Sequence, residues 1–453
     1  MLFKKLSTTK IITLSYMAVI LFGGIILTLP AMSASGAATD PIDALFTATS
    51  SVCVTGLTTL TTAAHWSLAG KVVILLLIQI GGMGTVTILT MTSVLWQKKI
   101  MMKNRLLIED AFDLDSMQGV VRFVLIVFYG VLAIEFVGAA AYSFTFIPRY
   151  GIGTGIWYSI FHSISAFCNA GIDIIGDRSF EAFAGSAPIT IITVMLIVVG
   201  GLGFMTLWEL VIAAKERVKR GCGGDTLRKK LSQHAKLVLT VTFIMITAGA
   251  VLYWIFEHGN SATIGGDSGG KQALECLFQS VTTRTAGFAT ISQSGLTFPS
   301  IGLTVFLMFI GGSPGGTAGG IKTTTFAIMI LETVSVIKGK QDVTCFHRRV
   351  PVPVIRKAFA VFFISTVIGI AAVIAMYFLQ PGRVSDIIFE VYSALGTVGL
   401  SRDLTPTLGA AGKVIIILCM YIGRVGPISV AAAVAGPDYG SGLHYAYGNV
   451  RVG

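Results

Sequence analysis

Four tripeptides recur through the chain: Val54-Thr55-Gly56, Asn169-Ala170-Gly171, Thr285-Ala286-Gly287 and Thr397-Val398-Gly399. Counted glycine to glycine, they stand 115, 116 and 112 residues apart. None contains an ionisable side chain, so any chemistry they perform belongs to the main chain. A K⁺ ion leaving water needs oxygens at matching distances in place of its hydration shell, and successive backbone carbonyls aimed at one axis supply them. That conformation demands φ > 0 within the loop, which glycine adopts without a Cβ clash. The repeats therefore predict a selectivity filter, with K⁺ as the bound metal, hinged at Gly56, Gly171, Gly287 and Gly399. The carbonyls of residues 54–56, 169–171, 285–287 and 397–399 are its ligands.

A second glycine set follows in the same register: Gly81-Gly82-Met83-Gly84, Gly200-Gly201-Leu202-Gly203, Gly311-Gly312-Ser313-Pro314 and Gly423-Arg424-Val425-Gly426. The lead glycines come 25, 29, 24 and 24 residues after the tripeptide glycine of their own repeat. In the third copy the motif expands to FIGGSPGGTAGGIKTTT (309–325), which no straight helix contains. Its residues Gly311, Gly312, Ser313, Pro314, Gly315, Gly316, Thr317, Gly319, Gly320 and Lys322 are expected to form a flexible gate below the filter. Nucleotide binding by this stretch is rejected, because a P-loop needs glycine directly before the lysine and Ile321 stands there. Arg424 replaces the second glycine of the fourth copy. A lone arginine in an apolar span is a functional candidate, expected in the pore below the filter, with bonding to backbone carbonyls as the alternative. Glu135 is read as a partner for an unnamed cation, Arg284 as a brace behind the third filter segment, and His162 as a packed polar residue. Six scattered cysteines carry no metal or disulfide spacing.

These motifs need membrane elements to position them. Only 12% of the 453 residues are charged and 54% are hydrophobic, with a mean hydropathy of +0.81; a soluble domain has about 25% charged residues. Uncharged runs at 11–39, 72–97, 123–148 (interrupted by Glu135), 182–208, 237–256, 299–321, 358–382 and 414–437 (interrupted by Arg424) supply eight spans. The first run is too long for a cleavable signal peptide. The expected fold is an all-α polytopic membrane protein of four tandem helix–pore-half-helix–helix units around a pseudo-fourfold pore. Their bounds are 1–110 (filter 54–57), 111–225 (filter 169–172), 226–345 (filter 285–288, intramembrane loop 311–323) and 346–453 (filter 397–400). Asp40-Pro41, Thr154, Ser268 and Ser385 are the candidate half-helix starts. Half-helices ending at the filter turn their negative dipole ends toward the ion.

The net charge of +11 does not point to nucleic acid. Of 33 Lys and Arg residues, 23 lie in Lys4, Lys5, Lys10, the segments 98–122, 215–236 and 338–357, and Arg451, all on one side of this topology. The positive-inside bias then puts both termini in the cytoplasm of a cell-membrane protein. Eleven acidic residues, among them Asp40, Asp43, Asp177, Glu181, Asp267 and Asp403, outnumber seven basic ones on the opposite face. An enzyme is not expected: neither HExxH nor a nucleophile constellation occurs.

This arrangement resembles the Trk/Ktr/HKT superfamily of K⁺ transporters over essentially the whole chain, and eight spans without a leading helix pair resemble the membrane subunit of a bacterial Ktr system. The resemblance implies K⁺ uptake by a homodimer, one pore per protomer, surrounded by membrane lipids. It implies a cytoplasmic ring of RCK-type subunits that controls the gate and carries the nucleotide, this chain binding no cofactor. It also carries the family's filter glycines onto Gly56, Gly171, Gly287 and Gly399, its intramembrane loop onto 311–323, and its pore arginine onto Arg424. Na⁺ coupling and the role of the C-terminal tail stay open.

Overall fold

A computed structural model describes residues 8–95, 120–176, 178–220 and 231–435. Lys4, Lys5, Asp177, Cys222, His444, Arg451, the C-terminal tail and the stretches 98–119 and 221–230 of the basic segments lie outside these residues. In chain order, α1 (Thr8–Leu27) precedes a short α2 (Pro41–Val52), a single turn α3 (Thr62–His65) and the pieces α4 (Leu68–Met83) and α5 (Thr85–Leu95). Next come α6 (Val120–Tyr150), α7 (Ile152–Phe167), α8 (Ala187–Gly201) and α9 (Phe204–Arg220). They are followed by α10 (Gln233–Glu257), α11 (Gly269–Thr282), α12 (Phe298–Phe309) and α13 (Thr323–Ile337). A two-residue hairpin, β1 (Thr344–Cys345) with β2 (Arg348–Arg349), leads to α14 (Val352–Leu379), α15 (Val384–Leu395), α16 (Ala410–Val425) and α17 (Pro427–Ala435).

Among the described residues, α1, α6, α10 and α14 are the single helices long and apolar enough to cross a membrane. Their outward side chains, such as Phe22, Phe144, Phe243 and Phe378, are exposed, as lipid contact requires. The other four expected spans are broken. Gly84 (φ 84°), Gly203 (φ 86°) and Gly426 (φ 94°) end one piece before the next begins, and α8 and α9 meet at 105°. In the third repeat Pro314 occupies that place, and residues 310–322 run as a loop in which Gly315 (φ 66°) takes the left-handed turn. The break position thus follows the second glycine set.

The helices α2, α7, α11 and α15 have 12, 16, 14 and 12 residues. At 1.5 Å per residue they reach about 18–24 Å, short of a hydrocarbon layer of ~30 Å. Each buries a phenylalanine nine or ten residues before the tripeptide glycine, Phe46, Phe161, Phe278 and Phe389, all 0% exposed. Asp40 caps α2 as expected, accepting from the Ile42 N–H at 2.8 Å with Pro41 next. Ser268 holds the cap position of α11 without a side-chain bond. The other two expected starts are corrected. The helix α7 begins at Gly151 (φ 80°), which alone separates it from α6, so Thr154 is interior. Arg383 precedes α15, and Ser385 lies in its first turn against Asp386. At the other end of the chain, Lys413 of α16 pairs with Asp43 of α2 at 2.5 Å, joining the fourth repeat to the first.

Candidate functional site

The short helices end one or two residues before the tripeptides, at Cys53, Cys168, Thr283 and Gly396. The glycines take φ of 100°, 62°, 81° and 93° at Gly56, Gly171, Gly287 and Gly399. The first residue of each tripeptide is left-handed too: Val54 (55°), Asn169 (60°), Thr285 (71°) and Thr397 (51°). A non-glycine residue held there is strained by about 1–3 kcal/mol and needs its surroundings to fix it. Part of that fixing is a main-chain bond from the middle residue back into the helix. The N–H groups of Thr55, Ala170, Ala286 and Val398 donate to the carbonyls of Ser50, Ser165, Thr282 and Ser393 at 2.8, 2.8, 3.0 and 2.8 Å.

The tripeptides approach one another in a closed cycle. A methyl carbon placed on Gly56 would stand 2.5 Å from the Ala170 carbonyl oxygen, and one on Gly171 2.3 Å from that of Ala286. On Gly287 it would stand 2.4 Å from the Val398 oxygen, and on Gly399 2.1 Å from the Thr55 oxygen. Each glycine thus admits the middle carbonyl of the next repeat, first to second to third to fourth and back to first. Four carbonyl dipoles brought this close make a region of negative potential that favours a cation and has no room for a side chain.

Of the polar side chains behind this ring, the sequence reading named His162 and missed Gln279 and Glu390. One residue after each buried phenylalanine, His162, Gln279 and Glu390 are fully buried and reach the chain that leaves their own tripeptide. The Ile174 N–H donates to His162 Nε2 at 3.4 Å. Gln279 and Gln293 exchange amide bonds at 2.8 and 3.2 Å. Glu390 accepts from Ser401 Oγ, from Thr405 N at 3.1 Å and from Thr405 Oγ1 at 2.9 Å. Thr47, at that place in the first repeat, bonds only its own helix. The signal was the phenylalanine, ten residues before the tripeptide glycine in repeats one, two and four and nine in repeat three, with a polar residue following it; His162 is a packed polar residue, as expected, and also bonds the main chain leaving its tripeptide.

The second glycine set brings main chains together below the ring. A methyl on Gly81, Gly200 or Gly423 would stand 2.0, 2.0 or 2.2 Å from the carbonyl oxygen ending the adjacent short helix, at Val52, Phe167 or Leu395. The loop of the third repeat crosses this layer. The Ser313 and Thr317 N–H groups donate to Gly201 and Gly200 carbonyls at 2.9 and 3.2 Å, and Thr317 Oγ1 donates to Phe167 O at 3.2 Å. The Phe204 N–H donates to Gly315 O at 2.9 Å, and Pro314 and Gly316 lie against Gly203 and Gly200. Gly312 O accepts from Thr323 N at 3.0 Å, and Gly311 N donates to Ile321 O at 2.8 Å. A methyl on Gly319 would lie 2.2 Å from Thr397 Oγ1, and Gly320 N donates to Gly423 O at 3.3 Å.

The two cations bond main-chain carbonyls of the loop. Lys322 Nζ donates to Ala318 O at 2.6 Å. Arg424 donates to Thr317 O, to Gly81 O and, at 3.4 Å, to Gly82 O, so its guanidinium fastens the third repeat to the first. Both residues line a cavity of about 210 Å³ that also touches Tyr16, Thr85, Phe204 and Gly315. Among the described residues Glu135 pairs with no cation: it accepts from Gln79 Nε2 at 2.9 Å and faces Cys168 Sγ at 3.7 Å. Arg284 is buried beside Gly201, Thr242 and Gly312, and its Nε makes no hydrogen bond among the described residues. The described cysteines are free and buried.

Residues 5–438 match the family model TrkH, described as a cation transport protein. The potassium/sodium uptake protein NtpJ of Enterococcus hirae is 40% identical over 94% of this chain and 92% of its own length. The Ktr system potassium uptake protein B of Bacillus subtilis is 34% identical over 98% of this chain and 96% of its own. The crystal structure of the potassium transporter TrkH from Vibrio parahaemolyticus superimposes with a TM-score of 0.73 at 17% identity, covering 94% of this chain and 85% of that one, so the fold is shared. Broken apolar helices, close-packed glycine loops and a family match over nearly the full length lead to one statement: this chain belongs to the TrkH family of cation transport proteins, membrane transporters rather than enzymes.

Proposed function

We propose that this chain takes up K⁺ across the cell membrane through an axial pore whose selective element is the main chain of the four tripeptides. The observation that carries this reading is the closed cycle in which each tripeptide glycine admits the next repeat's carbonyl. Nothing but a compact, partly dehydrated cation fits a site whose only ligands are main-chain oxygens. The loop at 311–323, fastened by Arg424, is the gate. It lies against the second, third and fourth repeats, and Arg424 carries the contact to the first. Arg424 also places positive charge under the ring, which shortens the stay of a cation there.

The K⁺ assignment is supported by relatives described as potassium uptake proteins, and Na⁺ as a second ion by the relative described for both. A homodimer with cytoplasmic RCK-type nucleotide-binding subunits, and both termini in the cytoplasm, complete the proposal. They are supported by the basic bias of the segments 98–122, 215–236 and 338–357 and by relatives described as parts of a Ktr system. The test is growth of cells lacking K⁺ uptake on limiting K⁺, with this chain expressed alone and with a matched regulatory subunit. Restored growth, stronger with the subunit, is expected. No growth and no K⁺ or Rb⁺ uptake with any subunit, at normal membrane levels of the chain, overturns the reading.

A further inference from the structure

Four residues after each buried phenylalanine stands a hydroxyl: Ser50, Ser165, Thr282 and Ser393, all 0% exposed. Their main chains act alike, each carbonyl taking the N–H of the tripeptide's middle residue. Their side chains do not. Ser50 Oγ and Ser393 Oγ accept from the N–H groups of Gly56 and Gly399 at 3.0 and 3.1 Å. Ser165 Oγ and Thr282 Oγ1 instead donate to the carbonyls just past the glycine, Ile172 O and Phe288 O, at 2.7 and 2.6 Å. Among the described residues, no hydrogen bond reaches the equivalent carbonyls of Leu57 and Leu400.

The two modes fall on neighbours in the cycle, repeats four and one against repeats two and three. A carbonyl that accepts a buried hydroxyl is turned toward the short helix, and part of its dipole is spent there. One without such a donor keeps its oxygen for an ion or its water. We propose that Ser50, Ser165, Thr282 and Ser393 are positioning residues of the ion pathway. They make its outermost carbonyl ring one-sided: Leu57 and Leu400 offer oxygens to an arriving alkali cation, while Ile172 and Phe288 are held back. The cation therefore keeps water on the side of repeats two and three as it enters. This inference rests on the filter reading above.

The test compares K⁺ and Na⁺ uptake in K⁺-depleted cells for Ser165→Ala and Thr282→Val, with Ser165→Thr and Thr282→Ser as hydroxyl-preserving counterparts. Ser51→Ala is the control: Ser51 is equally buried on α2, but its Oγ bonds only Thr47 O of its own helix, at 2.7 Å. The first pair is expected to move the K⁺/Na⁺ ratio at least fivefold, the counterparts to restore it, and Ser51→Ala to stay within twofold. Should Ser165→Ala fail to reach the membrane, Ser165→Cys, close in size and weak as a donor, carries the same expectation. An unchanged ratio in the hydroxyl-deleting variants, or an equal change in Ser51→Ala, overturns the proposal. Gly56→Ser is measured alongside. If it alters the ratio while the hydroxyl variants do not, only this inference falls; if it too has no effect, the filter reading falls with it.

Discussion

Alanine at position 399 would carry its methyl group 2.1 Å from the Thr55 carbonyl oxygen and 2.9 Å from Gly56 Cα. Side-chain carbons do not come within 3.0 Å of such atoms. Because both strands are buried main chain with no flexible end to yield, they must part by about 0.9 Å, and a close-packed interior transmits that shift. The residue sits at φ 93°, which for an L-residue adds on the order of 1–3 kcal/mol of backbone strain. A functional constellation tolerates misplacement of only about 0.5 Å. The opened ring therefore no longer matches a dehydrated K⁺, and we expect the K⁺/Na⁺ uptake ratio of Gly399→Ala to fall at least tenfold, equivalent to about 1.4 kcal/mol of lost discrimination. Uptake of both ions into K⁺-depleted cells, normalised to the chain present in the membrane, measures it. Gly130→Ala and Gly302→Ala are the controls. Both glycines are helical, and a Cβ there meets nothing within 4 Å; alanine should be neutral or raise stability by up to ~1 kcal/mol. A Gly399→Ala chain at normal level with its ratio within twofold of the unsubstituted protein would refute the ring.

Arg424→Ala removes the bonds to Thr317 O and Gly81 O; losing as little as 1.4 kcal/mol of loop-holding energy shifts the closed–open balance about tenfold, so K⁺ flux should rise several-fold and its dependence on the regulatory subunit weaken. Glu390→Ala leaves Thr405 N and Oγ1 without their buried acceptor, at roughly 1–3 kcal/mol per group, and should lower the thermal midpoint of the detergent-solubilised protein, with Glu390→Gln intermediate. A double-mutant cycle with Asp43→Asn and Lys413→Met should give a coupling energy of about 0.5–3 kcal/mol, and additivity would mean that this pair does not close the first repeat on the fourth.

What the sequence disclosed was whatever repeats with a period. The tripeptides and the second glycine set stand out because four copies share one register, and the breaks at Gly84, Gly203 and Gly426 lie where that set placed them. Less was legible where ordinary residues do unusual things. Val54 and Thr397 carry no sign that their φ is positive, because the constraint comes from the bond behind the following residue and from the neighbouring strand. The serines and threonine behind the ring look like the small polar residues of any membrane helix. Only the constant four-residue step from a phenylalanine marks them. The helix starts failed for a local reason: Gly151 ends one helix and opens the next, so the capping hydroxyl sought at Thr154 had no free end to cap. The 105° bend between α8 and α9 depends on the loop that fills the space beneath it, with Phe204 N bonded to Gly315 O, and no single segment encodes that.

Four tripeptides of different sequence can serve one ring because the ring is made of main chain, and side chains only have to stay out of it or hold it from behind. In the proposed mechanism a gate cannot be shared in the same way, since a fourfold-symmetric loop would fill the axis. The chain breaks its symmetry instead. One repeat carries the long Gly-Ser-Pro loop, and another carries Arg424 in place of a glycine. The lead glycine of every repeat is then tied into a single network: Gly81 O to Arg424, Gly200 O to the Thr317 N–H, Gly311 N to Ile321 O, and Gly423 O to the Gly320 N–H. Moving the loop far enough to open a path must disturb all four of these bonds. Because each lead glycine also lies at a short-helix end or beside Thr285, such a movement is felt at the base of the ring, and gate and selectivity are expected to respond to the same mutations in this layer.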